Sequence, residues 1–260
     1  MTRRLPGGAA WVAALTYVFL HLPLLVLMVF SFNRSRFSVQ WKGFTLDWYA
    51  RLAHRPDVLR AFRLSVLVGL TSTAIATILG TLLAVALARY SLRGRRLYEG
   101  LLYLPIVTPE IVAGISLLIL FSTLGVTLGL GTIIVAHTAF SLPFVTVVVL
   151  ARMAGMDRSL EEAAMNLGAD ELTTFRRVTL PQLLPGIMAA ALLAFTLSFD
   201  DFVITFFVAG VGSTTLPLVV YSMVRKSVEP TINAISTLML VVTTVLVWAA
   251  DRLARGSVRG

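Results

Sequence analysis

From residue 111 to residue 151 the chain carries no formally charged side chain. A transmembrane helix needs about 20 mostly apolar residues, so this run is too long for one crossing and must cross, turn and cross back. LGVTLGLG at 124–131 supplies the glycine-rich turn between the two passes. Soluble domains carry about 25% charged residues; this chain has 13% and a mean hydropathy of +0.87. An all-α membrane protein follows, because helices satisfy their backbone polar groups internally where no water is at hand.

Six spans are expected, at about 9–31, 64–88, 101–123, 131–151, 183–208 and 232–250. TLPLVVYSMVRKSVEP, between the fifth and sixth, has too few apolar residues after Pro217 to cross and reads as an interfacial or re-entrant segment. At the N-terminus, Arg3 and Arg4 precede an uncharged run from 5 to 33. That run is too long for the apolar core of a signal peptide, and no small-residue cleavage site follows, so a retained span is expected. One domain, 1–260, accommodates the whole pattern.

The net charge of +9 comes with aromatics placed inside apolar runs rather than among basic residues. That arrangement points to anionic lipid headgroups and away from nucleic acid. With no cysteine and three scattered histidines (His21, His54, His137), neither disulfides nor a metal site is expected. A cytoplasmic N-terminus places thirteen of the 22 lysines and arginines inside, the side the positive-inside rule favours. Both termini then lie in the cytoplasm, although seven of the other nine basic residues crowd the 34–63 loop.

On this topology DRSLEEAAMNLGADELTTFRRVTLP, residues 157–181, belongs to a cytoplasmic loop at about 152–182. SLEE at 159–162 has the form of a capping box, with Ser159 as the cap and Glu162 reaching back. A short helix through EEAAMNL would end at Gly168 in a left-handed conformation. A second would start near Ala169 or Asp170 and finish with Arg176 and Arg177, as the helix dipole prefers. Pro181 and Pro185 then restart the chain as the fifth span. On these signals alone the loop is either a hairpin that merely closes a long connection or a surface built for a partner.

The residues themselves favour the partner. EAAMNLGADELTTFRRVTLP fits the pattern E-A-A, three residues, Gly, nine residues, Ile, one residue, Leu-Pro, with Val178 in the isoleucine position. It resembles the EAA loop of ABC importer permeases. The resemblance implies the six-span type I ABC importer fold and a loop that docks into a cleft on a cytoplasmic ATPase. Glu162, Ala163, Ala164, Gly168, Val178, Leu180 and Pro181 are the positions carried over. It further implies a heterodimer with a second permease subunit, an ATPase dimer holding ATP and Mg, and an extracytoplasmic substrate-binding protein. No cofactor is expected in this chain: a P-loop requires Gly-Lys-Ser/Thr, and neither Lys42 nor Lys226 has that context.

FTLSFDDFVITFFVAG at 195–210 sets Asp200 and Asp201 inside an apolar run. Intramembrane carboxylates are costly and mark pathways. Neighbouring helical positions diverge by about 100°, so one aspartate faces a cavity while the other caps a broken helix or meets a partner chain. Alternatively, the fifth span ends early and both sit among headgroups. Glu110, after two prolines in LPIVTPEIVAG, either marks a kinked or interfacial entry or is a further pathway residue, and His137 is either a packing residue or a gate. SFDDFVITFF, TLPLVVYSMVRKSVEPTINAISTL and AHTAFSLPFVTVVVLARM resemble the second permease subunit of spermidine/putrescine importers, over roughly residues 60–250. Permeases for phosphonates, iron or thiamine are related. A proton-driven transporter using the aspartate pair would leave the docking motif without a purpose, and an intramembrane enzyme would need a convergent nucleophile or metal set that the diverging pair does not supply.

Overall fold

The structure, a computed structural model, describes residues 7–35, 40–91, 93–226 and 230–256. Arg3, Arg4 and Arg259, which count toward the expected orientation, lie outside the described residues, as do positions 227–229 of the interfacial segment. Described contacts divide the chain into two compact units, Met1–Leu59 with Val219–Val241, and Arg60–Leu218 with Val242–Gly260.

In the first unit, α1 (Gly7–Phe30) is apolar on every side, and none of its most apolar 18-residue window is buried. The chain then folds back through an isolated antiparallel bridge between Asn33 and Phe44. Asn33 organises this turn: its Oδ1 accepts from the backbone N–H groups of Ser35 and Lys42, and its Nδ2 donates to the Gln40 carbonyl. Trp48, on the short α2 (Asp47–Ala53), donates Nε1–H to the Asn33 carbonyl at 2.8 Å.

The second unit holds the core. It is built from α3 (Pro56–Arg89, whose first residues belong to the other unit), α6 (Leu130–Ala154) and α9 (Leu180–Asp200). Ala76, Ala84, Val145, Val149, Leu183, Ala190 and Ala194 interlock there, and all are fully buried. The alanines let backbones approach closely, which is how helices associate where lipid tails are as apolar as leucine.

Two expected spans are broken. The third is α4 (Arg95–Val107) followed by α5 (Glu110–Thr123), bent by 110° at Thr108-Pro109. A residue before proline is driven out of the helical region, and Thr108 is extended, with φ −71° and ψ 130°. The fifth ends at Asp200 and resumes as α10 (Val203–Val208). Among the described residues, five helices are long and apolar enough to cross a membrane, and six if the bent pair counts as one span. The segment after Pro217 falls in α11 (Leu216–Lys226), which is not among them, and α12 (Pro230–Gly256) supplies the last span.

Candidate functional site: a cytoplasmic loop and an intramembrane aspartate pair

The 157–181 stretch folds as two helical pieces joined by a knuckle. The first, α7, spans Ser159–Asn166. The expected capping box does not form. Ser159 lies inside the helix, and the Asp157 carboxylate accepts its backbone N–H at 2.9 Å instead. Asp157 thus takes the N–H that Glu162 would accept in a capping box, and its carboxylate also answers the helix dipole. That hydrogen bond holds the Asp157 pKa below its ordinary value.

Gly168 ends α7 with φ +90°. Its N–H bonds the Met165 carbonyl and the Ala169 N–H bonds the Ala164 carbonyl, the paired closure of a Schellman motif. Nothing stands within 4 Å of where a Cβ would lie, so backbone conformation and not space selects glycine. Asp170 then caps α8 (Glu171–Thr174), accepting the Thr173 N–H at 2.9 Å, which lowers its pKa.

From Glu171 the helix runs to Asp200 without a break. The expected restart at Pro181 is replaced by a π-helical turn over Phe175–Thr179, in which the Leu180 N–H reaches back to the Phe175 carbonyl. Proline provides no N–H to the preceding turn, and the wider turn just before Pro181 keeps the helix continuous.

The motif positions separate into two places. Glu162 and Ala163 are exposed on α7, with Gly168 exposed at the knuckle and Ala164 half-buried. Val178 and Leu180 are half-buried and Pro181 exposed, on the continuous helix. Leu160, Ala163 and Leu167 follow the helical spacing of one face, and Leu167 is 89% exposed. The opposite face carries Glu161, which sequence reasoning missed. It is buried, pairs with Arg89 at 2.7 Å and accepts from the Thr179 hydroxyl at 2.8 Å. An apolar-walled groove of about 560 Å³ runs alongside, lined by Val85, Tyr90, Met165, Leu172 and Phe175 among others.

The aspartates diverge, as adjacent positions at a helix end must. Asp201 caps α10: its carboxylate accepts from the N–H groups of Ile204 (3.2 Å) and Thr205 (2.8 Å) and from the Thr205 hydroxyl (2.7 Å). His137 Nε2 lies 3.2 Å from the same carboxylate and 2.8 Å from Thr205 Oγ1. Because the Thr205 hydroxyl gives its hydrogen to Asp201, its oxygen accepts from His137 Nε2–H, which fixes the tautomer by the network. His137 Nδ1 meets Ser198 Oγ at 2.6 Å, and Ser198 meets Ser72 at 3.1 Å. One buried chain of polar groups thus ties α3, α6, α9 and α10 together.

Asp200 points elsewhere. It is exposed and accepts one hydrogen bond, from the Thr243 hydroxyl on α12 at 2.7 Å. Glu110, exposed in the first turn of α5, takes no part in either arrangement.

The sequence profile described as "Binding-protein-dependent transport system inner membrane component" matches residues 76–259, which contain the whole loop and both aspartates. The chain belongs to that family. It is therefore a multi-pass membrane permease subunit of an ABC importer and not itself an enzyme. It is 43% identical to the spermidine/putrescine transport system permease protein PotC of Escherichia coli (strain K12), over 94% of this chain and 92% of the relative. It is 42% identical to the putrescine transport system permease protein PotI of the same strain, over 87% of this chain and 83% of the relative. Among solved structures it superposes on a chain of a bacterial ABC transporter involved in the import of the acidic polysaccharide alginate. That match has a TM-score of 0.73 at 16% identity and covers 95% of this chain and 94% of the other. A chain of the MetNI methionine ABC transporter matches with a TM-score of 0.61 at 20% identity, covering 82% of this chain and 99% of the other. The same alginate importer type has been captured in complex with an alginate pentasaccharide-bound periplasmic protein, and its chain matches with a TM-score of 0.70 at 17% identity over 95% of this chain and 93% of the other.

Proposed function

We propose that this chain is one of two permease subunits of an ATP-driven importer of spermidine and putrescine in a bacterial inner membrane, with both termini in the cytoplasm. The observation that carries the reading is the 43% identity to a spermidine/putrescine permease across 94% of the chain. The whole chain acts as one permease domain, and the loop at about 152–182 is its coupling surface. Glu162, Ala163 and Leu167 face an ATPase dimer that holds ATP and Mg, and Gly168 sets the angle at which α7 is presented. Val178, Leu180 and Pro181 belong to the helix that carries the movement inward. A separate extracytoplasmic protein delivers the substrate to the other side.

The aspartates divide the remaining work. Asp201 is engaged in capping α10, so its role in the pathway is to hold the break between α9 and α10. Asp200, whose one partner among the described residues is a threonine hydroxyl, is the carboxylate with acceptor capacity left for a cationic amine, and Glu110 is a further contact along the route. ATP binding favours one orientation of the permease pair and its hydrolysis the other, a population shift set by differential affinity.

The test is uptake. The complex purified through this chain is placed in liposomes with its binding protein, and labelled spermidine and putrescine are followed with and without ATP on the ATPase side. Saturable, strictly ATP-dependent uptake supports the reading. Uptake that persists without ATP and collapses with an uncoupler would replace it with a proton-driven carrier. ATP hydrolysis with neither polyamine moving would keep the importer and overturn the substrate.

A further inference from the structure

Three consecutive residues, the last two of α3 and the one that follows it, are each fastened to the coupling loop. Arg158 Nη2 donates to the Ala88 carbonyl at 2.8 Å, Arg89 Nη2 donates to Glu161 Oε1 at 2.7 Å, and the Tyr90 hydroxyl donates to Glu171 Oε2 at 3.2 Å. The middle link is the enclosed one. The side chains of Arg89 and Glu161 are only 18% and 12% exposed, whereas Tyr90–Glu171 and Arg158–Ala88 lie at the surface. Glu161 Oε1 also accepts the hydroxyl of Thr179, a residue buried in the π-helical turn that opens into α9. A single carboxylate oxygen therefore joins α7, the end of α3 and the start of α9.

Glu161 and the motif's Glu162, neighbours on α7 and so about 100° apart around its axis, meet different surroundings. Glu162 faces out from α7, where a partner would sit, and Glu161 faces in, against the two long core helices. The π-helical turn adds one residue to the helical repeat at this place, and such turns recur at functional positions. It is this turn that carries Thr179.

We infer that Glu161 is the positioning residue through which displacement of α7 is passed to α3 and α9. The inference rests on the proposed docking of α7 to an ATPase. A short, mostly desolvated ion pair resists separation far more than an exposed one. When α7 is drawn toward the ATPase, the ends of α3 and α9 follow through Arg89 and Thr179. The outward face of α7 is untouched by Glu161, so removing its charge leaves docking in place and disconnects the helices behind it.

The experiment uses the complete reconstituted complex and reads two rates, ATP hydrolysed and spermidine imported. Glu161→Gln and Arg89→Gln are each expected to copurify the ATPase in wild-type amounts. ATP hydrolysed per spermidine imported should rise about tenfold in each, a coupling loss of ordinary size. The double variant should be no worse than either single one, because both remove the same link. Thr179→Val, which removes one hydrogen bond and no charge, should show a smaller rise in the same direction. If hydrolysis and uptake fall in proportion in Thr179→Val and in whichever charge variant assembles, or if uptake is unchanged, Glu161 has no such role. A wild-type complex without ATP-driven uptake would instead overturn the functional reading itself.

Discussion

Replacing Asp201 by alanine should damage the fold far more than replacing its neighbour Asp200. Asp201→Ala removes acceptors for two backbone N–H groups and one hydroxyl, and takes the carboxylate away from His137. Loss of a helix cap costs about 0.5–2 kcal/mol. A buried polar group left without its partner costs about 1–3 kcal/mol more, and the His137 side chain is only 2% exposed. Together these give roughly 2–5 kcal/mol, in line with the ~3–5 kcal/mol for breaking a buried pair. Asp200→Ala gives up one hydrogen bond to Thr243 at an exposed position, a net loss of about 1 kcal/mol or less. At about 2–4 °C per kcal/mol for a chain of this size, the two variants should differ by several degrees. The assay is thermal unfolding of the complex in nanodiscs, followed by tryptophan fluorescence and scanned at one fixed rate because membrane proteins unfold irreversibly. Equal shifts for the two variants, or a larger one for Asp200→Ala, would refute the division of labour between them.

Gly168→Ala should lower the uptake rate and destabilise the knuckle by about 1–2 kcal/mol, the cost of a side chain in the left-handed region, while Gly168→Asn, which tolerates that region, should retain most activity; transport assays on both settle it. Gly210→Ala should prevent stable insertion, since its Cβ would lie 1.8 Å from the Leu128 carbonyl oxygen, and the yield of folded chain in detergent measures this. Asp157 and Asp170 have pKa values held below the ordinary 3.8, Asp157 chiefly by the Ser159 backbone N–H and Asp170 by side-chain and backbone hydrogen bonds with Thr173. Their capping contribution is therefore complete above about pH 4 and fades as the pH falls through the lowered values, so hydrogen exchange in 157–174 should accelerate only in strong acid.

What the sequence made legible was local. Gly168 and Asp170 were readable because left-handed closure and capping depend on a residue and its immediate neighbours. The spans were readable because a bilayer demands length and apolarity and little else. Even the break at Asp200-Asp201 was one of the readings that their adjacency allowed. What escaped were partnerships across the chain. His137 joins Ser198 and Thr205, which lie 61 and 68 residues away, and no periodicity connects them. Glu161 and Glu162 are indistinguishable as letters, and only the position of Arg89, 72 residues earlier, decides which one turns inward. The capping box failed for the opposite reason: Asp157, two residues upstream, competes for the same N–H and wins. The bend at Thr108-Pro109 was legible as a kink at the two prolines before Glu110, although its size, 110°, was not.

The central claim is that the polar interruption at 157–181 is a docking surface for a separate ATPase. The chain has no cysteine of its own, so Leu167→Cys, at the most exposed apolar position of the knuckle, provides a unique attachment point. Photo-crosslinking from that thiol in the copurified complex should yield one adduct, containing the ATPase, while Val211→Cys, exposed between α10 and α11, should yield none with it. An ATPase adduct from position 211 and none from 167, or a complex in which neither meets an ATPase, would contradict the account.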